Sequence, residues 1–230
     1  MKNMTASLGI VLLIAGTLLA QQPPDIRTAG MDLLGALNGD MEKFERGMKA
    51  LDSLLATNPN DPNVKVLHGN GVFARSGLAA QKGDMQNAME LLQSGMDEMA
   101  QAVEMAPDNI FVRARRGVVL ISASRSTEMP PAMAKPLVQL AVEDFQKVLE
   151  IREKEQTLAQ RSTHQRGELL TAIADGSNRL GNPEKARTYF ERITRDLKGT
   201  VYEQKANAWL ENKPEAKAVD YFACSGCHVQ

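Results

Sequence analysis

The chain has 230 residues, with 27 basic and 28 acidic side chains and a formal net charge of −1. That balance removes the argument for a nucleic-acid binder and for electrostatic attachment to a strongly anionic membrane. Aromatic residues make up only 4% of a chain rich in Ala, Leu, Met, Glu, Lys and Gln, which favours helix over sheet, and the length suits one sizeable core or a short array of repeats.

Residues 1–20 read as a secretory signal peptide. Lys2 supplies the positive start, an apolar stretch runs over 8–19, and Ala20 is a small residue before polar Gln21-Gln22 and then Pro23-Pro24. The apolar run is short for a transmembrane helix, so no integral span is expected after cleavage; an uncleaved anchor is the alternative, with Leu18 the weak position. No cysteine follows the cut, which excludes a lipid anchor there.

From residue 25 onward the spacing predicts paired helices. The first is expected over 25–37 and ends at Asn38-Gly39; Asp40 then caps a helix with Met41, Phe44, Met48, Leu51 and Leu55 on one face. Asp61 and Pro62 start a helix over 62–81 with Val64, Leu67, Gly71, Ala74 and Leu78. Gly69, Gly71 and Gly77 each cost that helix about 1 kcal/mol against Ala, and close approach of a neighbour is the expected return. After Gly83-Asp84, a stripe of Met85, Ala88, Met89, Leu92, Met96, Met99 and Val103 is expected to pack between helices rather than to serve as a reservoir of haem ligands.

A third pair is expected to start at an Asp108 cap. Ile110, Ala114, Gly117, Val118 and Ile121 face inward, while Arg113, Arg115 and Arg116 form a basic patch on the other faces. A solvated face is the expected role of that patch; the alternative is a site for carboxylates, from a partner or from haem propionates. Residues 122–131 read as a loop, followed by a helix from near Pro136 to 155 lined by Leu137, Leu140, Ala141, Phe145, Val148 and Leu149. A fourth pair is expected over 157–180 and 183–197, with Asn182 capping, Pro183 at the first helical position and Glu184 at the positive helix end. Thr200 and Glu203 read as a capping box for a last helix carrying Val201, Ala208 and Trp209, which Lys213-Pro214 ends.

The pattern resembles tetratricopeptide repeats, whose unit is a helix–turn–helix of about 34 residues. The best match is 166–200, with Leu170, Ile173 and Ala174 in the first helix and Ala186 and Phe190 at the small and large positions of the second. An earlier unit over 27–61 has Leu34-Gly35, Gly47, Leu51 and Pro59, and Ala141 with Phe145 repeats the small–large pair. The resemblance covers most of the chain after the signal but is degenerate, since 59–107 exceeds one repeat and the third unit carries an insertion. It implies an all-α fold of antiparallel helix pairs stacked as a solenoid over 25–211, with a short irregular tail over 212–230. In this family the resulting groove often binds a peptide or a partner protein.

Within the tail, Cys224-Ser225-Gly226-Cys227-His228 holds the only two cysteines of the chain. Cys-x-x-Cys-His is the attachment motif of c-type haem: two thiols three positions apart form thioethers to the two vinyl groups, and the adjacent imidazole becomes an axial iron ligand. A disulfide is the main alternative reading. Zinc is disfavoured because no second cysteine pair exists and His68 and His164 are distant in sequence. Export and covalent haem agree, because such haem is attached outside the bacterial inner membrane. Only Val229 and Gln230 follow, so this is not the head of an ordinary small cytochrome domain. The tail resembles c-type cytochromes over Cys224 to His228, and a four-helix bundle of the cytochrome c-prime type is the runner-up fold.

These features imply an exported, periplasmic or extracellular haem protein. Cys224 and Cys227 would hold one haem c, His228 would ligate its iron, and His68, His164, a methionine or nothing would occupy the sixth position. Its repeats would dock a redox or envelope protein, and it would carry single electrons rather than act as an enzyme. The competing readings are a cofactor-free adaptor with the cysteines in a disulfide and, more weakly, a thiol–disulfide enzyme. No local nucleophile motif points to a hydrolase.

Overall fold

The computed structural model of the chain describes residues 25–126, 129 and 131–212, with backbone alone at 37 and 38. The expected signal segment, and the tail from 213 on, lie outside the described residues. Among the described residues nine α-helices follow one another: α1 (Ile26–Asp32), α2 (Met41–Thr57), α3 (Pro62–Gln81), α4 (Met85–Met105), α5 (Ile110–Ala123), α6 (Pro131–Lys154), α7 (Thr163–Arg179), α8 (Pro183–Asp196) and α9 (Val201–Leu210). No strand occurs among these residues, and the helices pack largely as sequential antiparallel neighbours. Beyond these pairings α3 also packs on α5.

The helix ends follow from local chemistry. Asp40, Asp61, Asp84 and Asn182 each accept a hydrogen bond from a backbone N–H of the first turn, satisfying donors that the helix itself cannot pair. Gly83 and Gly181 precede two of these caps with φ of 81° and 82°, a left-handed turn that a side chain disfavours. The α5 cap is Asn109 rather than Asp108; its Oδ1 accepts from Phe111 N and Val112 N. At Thr200 the hydroxyl accepts from Glu203 N, but the Glu203 carboxylate reaches back to Gly199 N, one residue before the cap.

Other boundaries differ from expectation. The first helix is split, because a 3₁₀ segment (Leu33–Asn38) continues α1 to the turn at Gly39. Helix α6 starts at Pro131 and carries Pro136 inside it, on an exposed position in its second turn. Before α7 the chain makes a 3₁₀ turn (Leu158–Gln160), and Ser162 forms a capping box with Gln165.

A core runs through the whole array, from Ala29 to Ala206, and a smaller cluster of Phe44, Met48 and Val72 lies beside it. The methionine stripe divides: Met99 is fully buried, whereas Met85 and Met89 are 59% and 50% exposed. The buried face of α4 passes instead through Ala88, Gly95, Met99, Ala102 and Val103. Of the three α3 glycines, Gly69 lies close to Gly95 and Met99 of α4 and Gly71 lies against Met48, while Gly77 has open space around it. On α9, Val201 is exposed and Tyr202 and Ala206 are buried; Trp209 stacks on Phe190 with ring centroids 4.5 Å apart.

Candidate functional site

Cys224, Cys227 and His228 lie outside the described residues, so the thioether and axial-ligand assignments have no geometry here. The two other histidines are described. His68 on α3 is held at both ring nitrogens: Nδ1 is 2.5 Å from Glu98 on α4 and Nε2 is 3.0 Å from Asp52 on α2. Glu98 first, with Asp52 adding to it, raises the His68 pKa against the opposing effect of burial. His164 on α7 has Nδ1 2.7 Å from the Tyr202 hydroxyl, which donates to Glu168 Oε1 at 2.7 Å. The other nitrogen, Nε2, is buried without a hydrogen-bond partner.

The His68 contacts set a pH dependence. The folded pKa lies above the ordinary 6.5, so the stabilisation is complete below about 6.5 and is lost as pH rises through the raised value. Thermal unfolding followed by circular dichroism should therefore show a midpoint that falls across this window. In His68→Gln that slope should be absent, with the largest difference from the natural protein on the acid side.

The arginine patch of α5 is not a solvated face. Arg115 and Arg116 are only 5% and 7% exposed. Arg116 donates from Nε and Nη2 to the two oxygens of Asp144 at 2.7 and 2.8 Å, and Arg113 Nη1 donates to the same carboxylate at 2.9 Å. Asp144 on α6 is fully buried, so this triad ties α5 to α6 through charge-assisted hydrogen bonds. Helical geometry explains the split. Arg113 and Arg116 are three apart and share a side of α5, whereas Arg115 is turned away from both.

Arg115 lines a cleft of about 380 Å³ between α1 with its 3₁₀ extension, α3 and α5. Leu33, Leu67, Phe73, Val118 and Val119 form much of its wall, and no carboxylate lines it among the described residues. The guanidinium Nε and Nη2 are buried without a hydrogen-bond partner, as is Oδ1 of Asn70, another lining residue. Burial pushes the Arg115 pKa down to about 10. The face of Phe111, 5.2 Å from the guanidinium carbon, is a favourable but weak contact. A second cleft of about 320 Å³ lies between α5, α6 and α7, with Phe111, Phe145 and Leu169 in its wall and Arg152, Arg161 and Glu168 among its polar lining. Burial raises the Glu168 pKa, and its Oε2 is buried without a hydrogen-bond partner.

Neither family models, curated proteins nor solved structures show a match to this chain. The residues that the sequence left unmarked, Asn70, Asp144, Glu168 and Tyr202, carry no local motif; they meet their partners from other helices. The spacing of the three arginines was the one available signal, because it separates Arg115 from its two neighbours before any contact is known.

Proposed function

We propose that the protein is an exported c-type haem protein in which a scaffold of the tetratricopeptide kind docks a protein partner and a C-terminal haem passes single electrons. The observation that carries this reading is Cys224-x-x-Cys227-His228, formed from the only two cysteines of the chain. Haem c, when attached, supplies a one-electron couple at its iron. In this reading Cys224 and Cys227 would hold it through thioethers and His228 would ligate its iron. The exported location rests on the signal-like residues 1–20. The docking role is supported by the succession of antiparallel helices, each packed on its neighbour in the chain. His68 and His164 are poor sixth ligands, since both His68 nitrogens are engaged and His164 Nε2 is buried.

The test is a reduced-minus-oxidised absorbance spectrum of protein made in a host that matures c-type cytochromes, beside a denaturing gel stained for haem. Haem bands that survive denaturation should disappear in Cys224→Ser/Cys227→Ser and persist, unshifted, in His68→Gln and His164→Gln. A colourless protein from a competent host rejects the haem reading and leaves an adaptor whose cysteines form a disulfide.

A further inference from the structure

Three arginines within one turn of α5 meet different fates. Arg113 and Arg116 share the buried carboxylate of Asp144, while Arg115, buried as deeply as Arg116, meets no anion among the described residues. A buried guanidinium keeps its charge and is costly when unpaired, so its natural complement is a carboxylate supplied from outside. The surroundings say what else that molecule must carry. The wall is apolar along Leu33, Leu67, Phe73, Val118 and Val119, and its only other polar side chains among the described residues are those of Asn70 and Ser122. A peptide entering this cleft would bring backbone N–H and C=O groups that such a wall leaves unpaired. An alkyl chain brings none. The cleft volume, about 380 Å³, falls in the lower part of the range of about 300–1,000 Å³ usual for small-molecule sites.

We infer that the α1–α3–α5 cleft is a binding site for a small aliphatic monocarboxylate, with the acid group on the Arg115 guanidinium and the alkyl chain along Leu67, Phe73 and Val118. This inference does not depend on the haem reading, since none of its residues belongs to the tail.

The experiment is isothermal titration of the purified protein with decanoate, below its micellar concentration, and with decanol as the uncharged counterpart. Decanoate should bind at a single site, with decanol about tenfold weaker or worse, because a hydrogen-bonded charge pair is worth at least that factor. Arg115→Met should bring decanoate down to the decanol level while leaving decanol little changed. Its melting temperature should not fall below that of the natural protein, because an apolar residue replaces an unpaired buried charge. Equal affinity for acid and alcohol, unchanged decanoate binding in Arg115→Met, or no binding of either compound would overturn the assignment. So would an apolar peptide that binds through its free C-terminus, and not when amidated, where decanoate fails.

Discussion

Asp144→Asn should cost the protein about 3–5 kcal/mol of unfolding free energy, the range for removing one partner of a buried ion pair. The carboxylate is fully buried and receives three N–H donors, two from Arg116 and one from Arg113. Replacing it by an amide leaves two cations facing one neutral oxygen and an NH₂ group, with the buried Arg115 next along the helix. Urea unfolding read by circular dichroism measures the loss. The compensating double change Asp144→Leu/Arg116→Met distinguishes the pair from its geometry. It removes both charges of the buried pair, while Arg113, partly exposed, keeps the Pro107 carbonyl as acceptor, so most of the stability should return, because well-packed apolar residues often match a buried ion pair. A double variant as unstable as Asp144→Asn would mean that the triad is needed for specific packing of α5 on α6, beyond satisfying its own charges.

Gly95→Ala should destabilise the protein by about 1–3 kcal/mol, and Gly95→Val by more, although both residues are better helix formers than glycine. A Cβ at position 95 would stand 2.6 Å from Phe73 N, 2.8 Å from Gly69 O and 2.9 Å from Phe73 Cα, all backbone atoms of α3. No side-chain rotation relieves that contact, so the two helices must separate. Gly77 provides the internal control. It is exposed, and a methyl group added there would meet nothing within 4 Å, so Gly77→Ala should stabilise by up to about 1 kcal/mol through propensity alone. Thermal or urea unfolding of the two alanine variants should thus move in opposite directions. A shift of the same sign in both would remove the case for backbone contact between α3 and α4.

Much of the helical plan was legible in local sequence. Asp40, Asp61, Asp84 and Asn182 mark helix starts because the side chain that accepts the first free N–H lies within three residues of it. Ala141, Phe145, Leu170, Ile173, Ala186 and Phe190, spaced at helical intervals, are all buried as their pattern implies. Where sequence reasoning missed, the deciding contact came from another helix. Met85 and Met89 fit the apolar stripe of α4 yet face solvent, because the contact with α3 centres on Gly95, where the backbones approach most closely. Val201 yields its place to Tyr202, whose hydroxyl reaches His164 and Glu168 on α7.

The arginines of α5 show the boundary between the two kinds of information. Periodicity places Arg115 away from Arg113 and Arg116, since side-chain direction on a helix depends only on residue number. Which of them meets a carboxylate depends on Asp144, about thirty residues later on α6, and on the absence, among the described residues, of any acid lining the α1–α3–α5 cleft. By itself the sequence determined the all-helical class and most of the helix starts, because propensity and capping act over a few neighbouring residues. Only the tertiary structure decided which polar groups are buried and which of those are paired, because desolvation and hydrogen bonding are settled by whatever the packing of distant helices brings together.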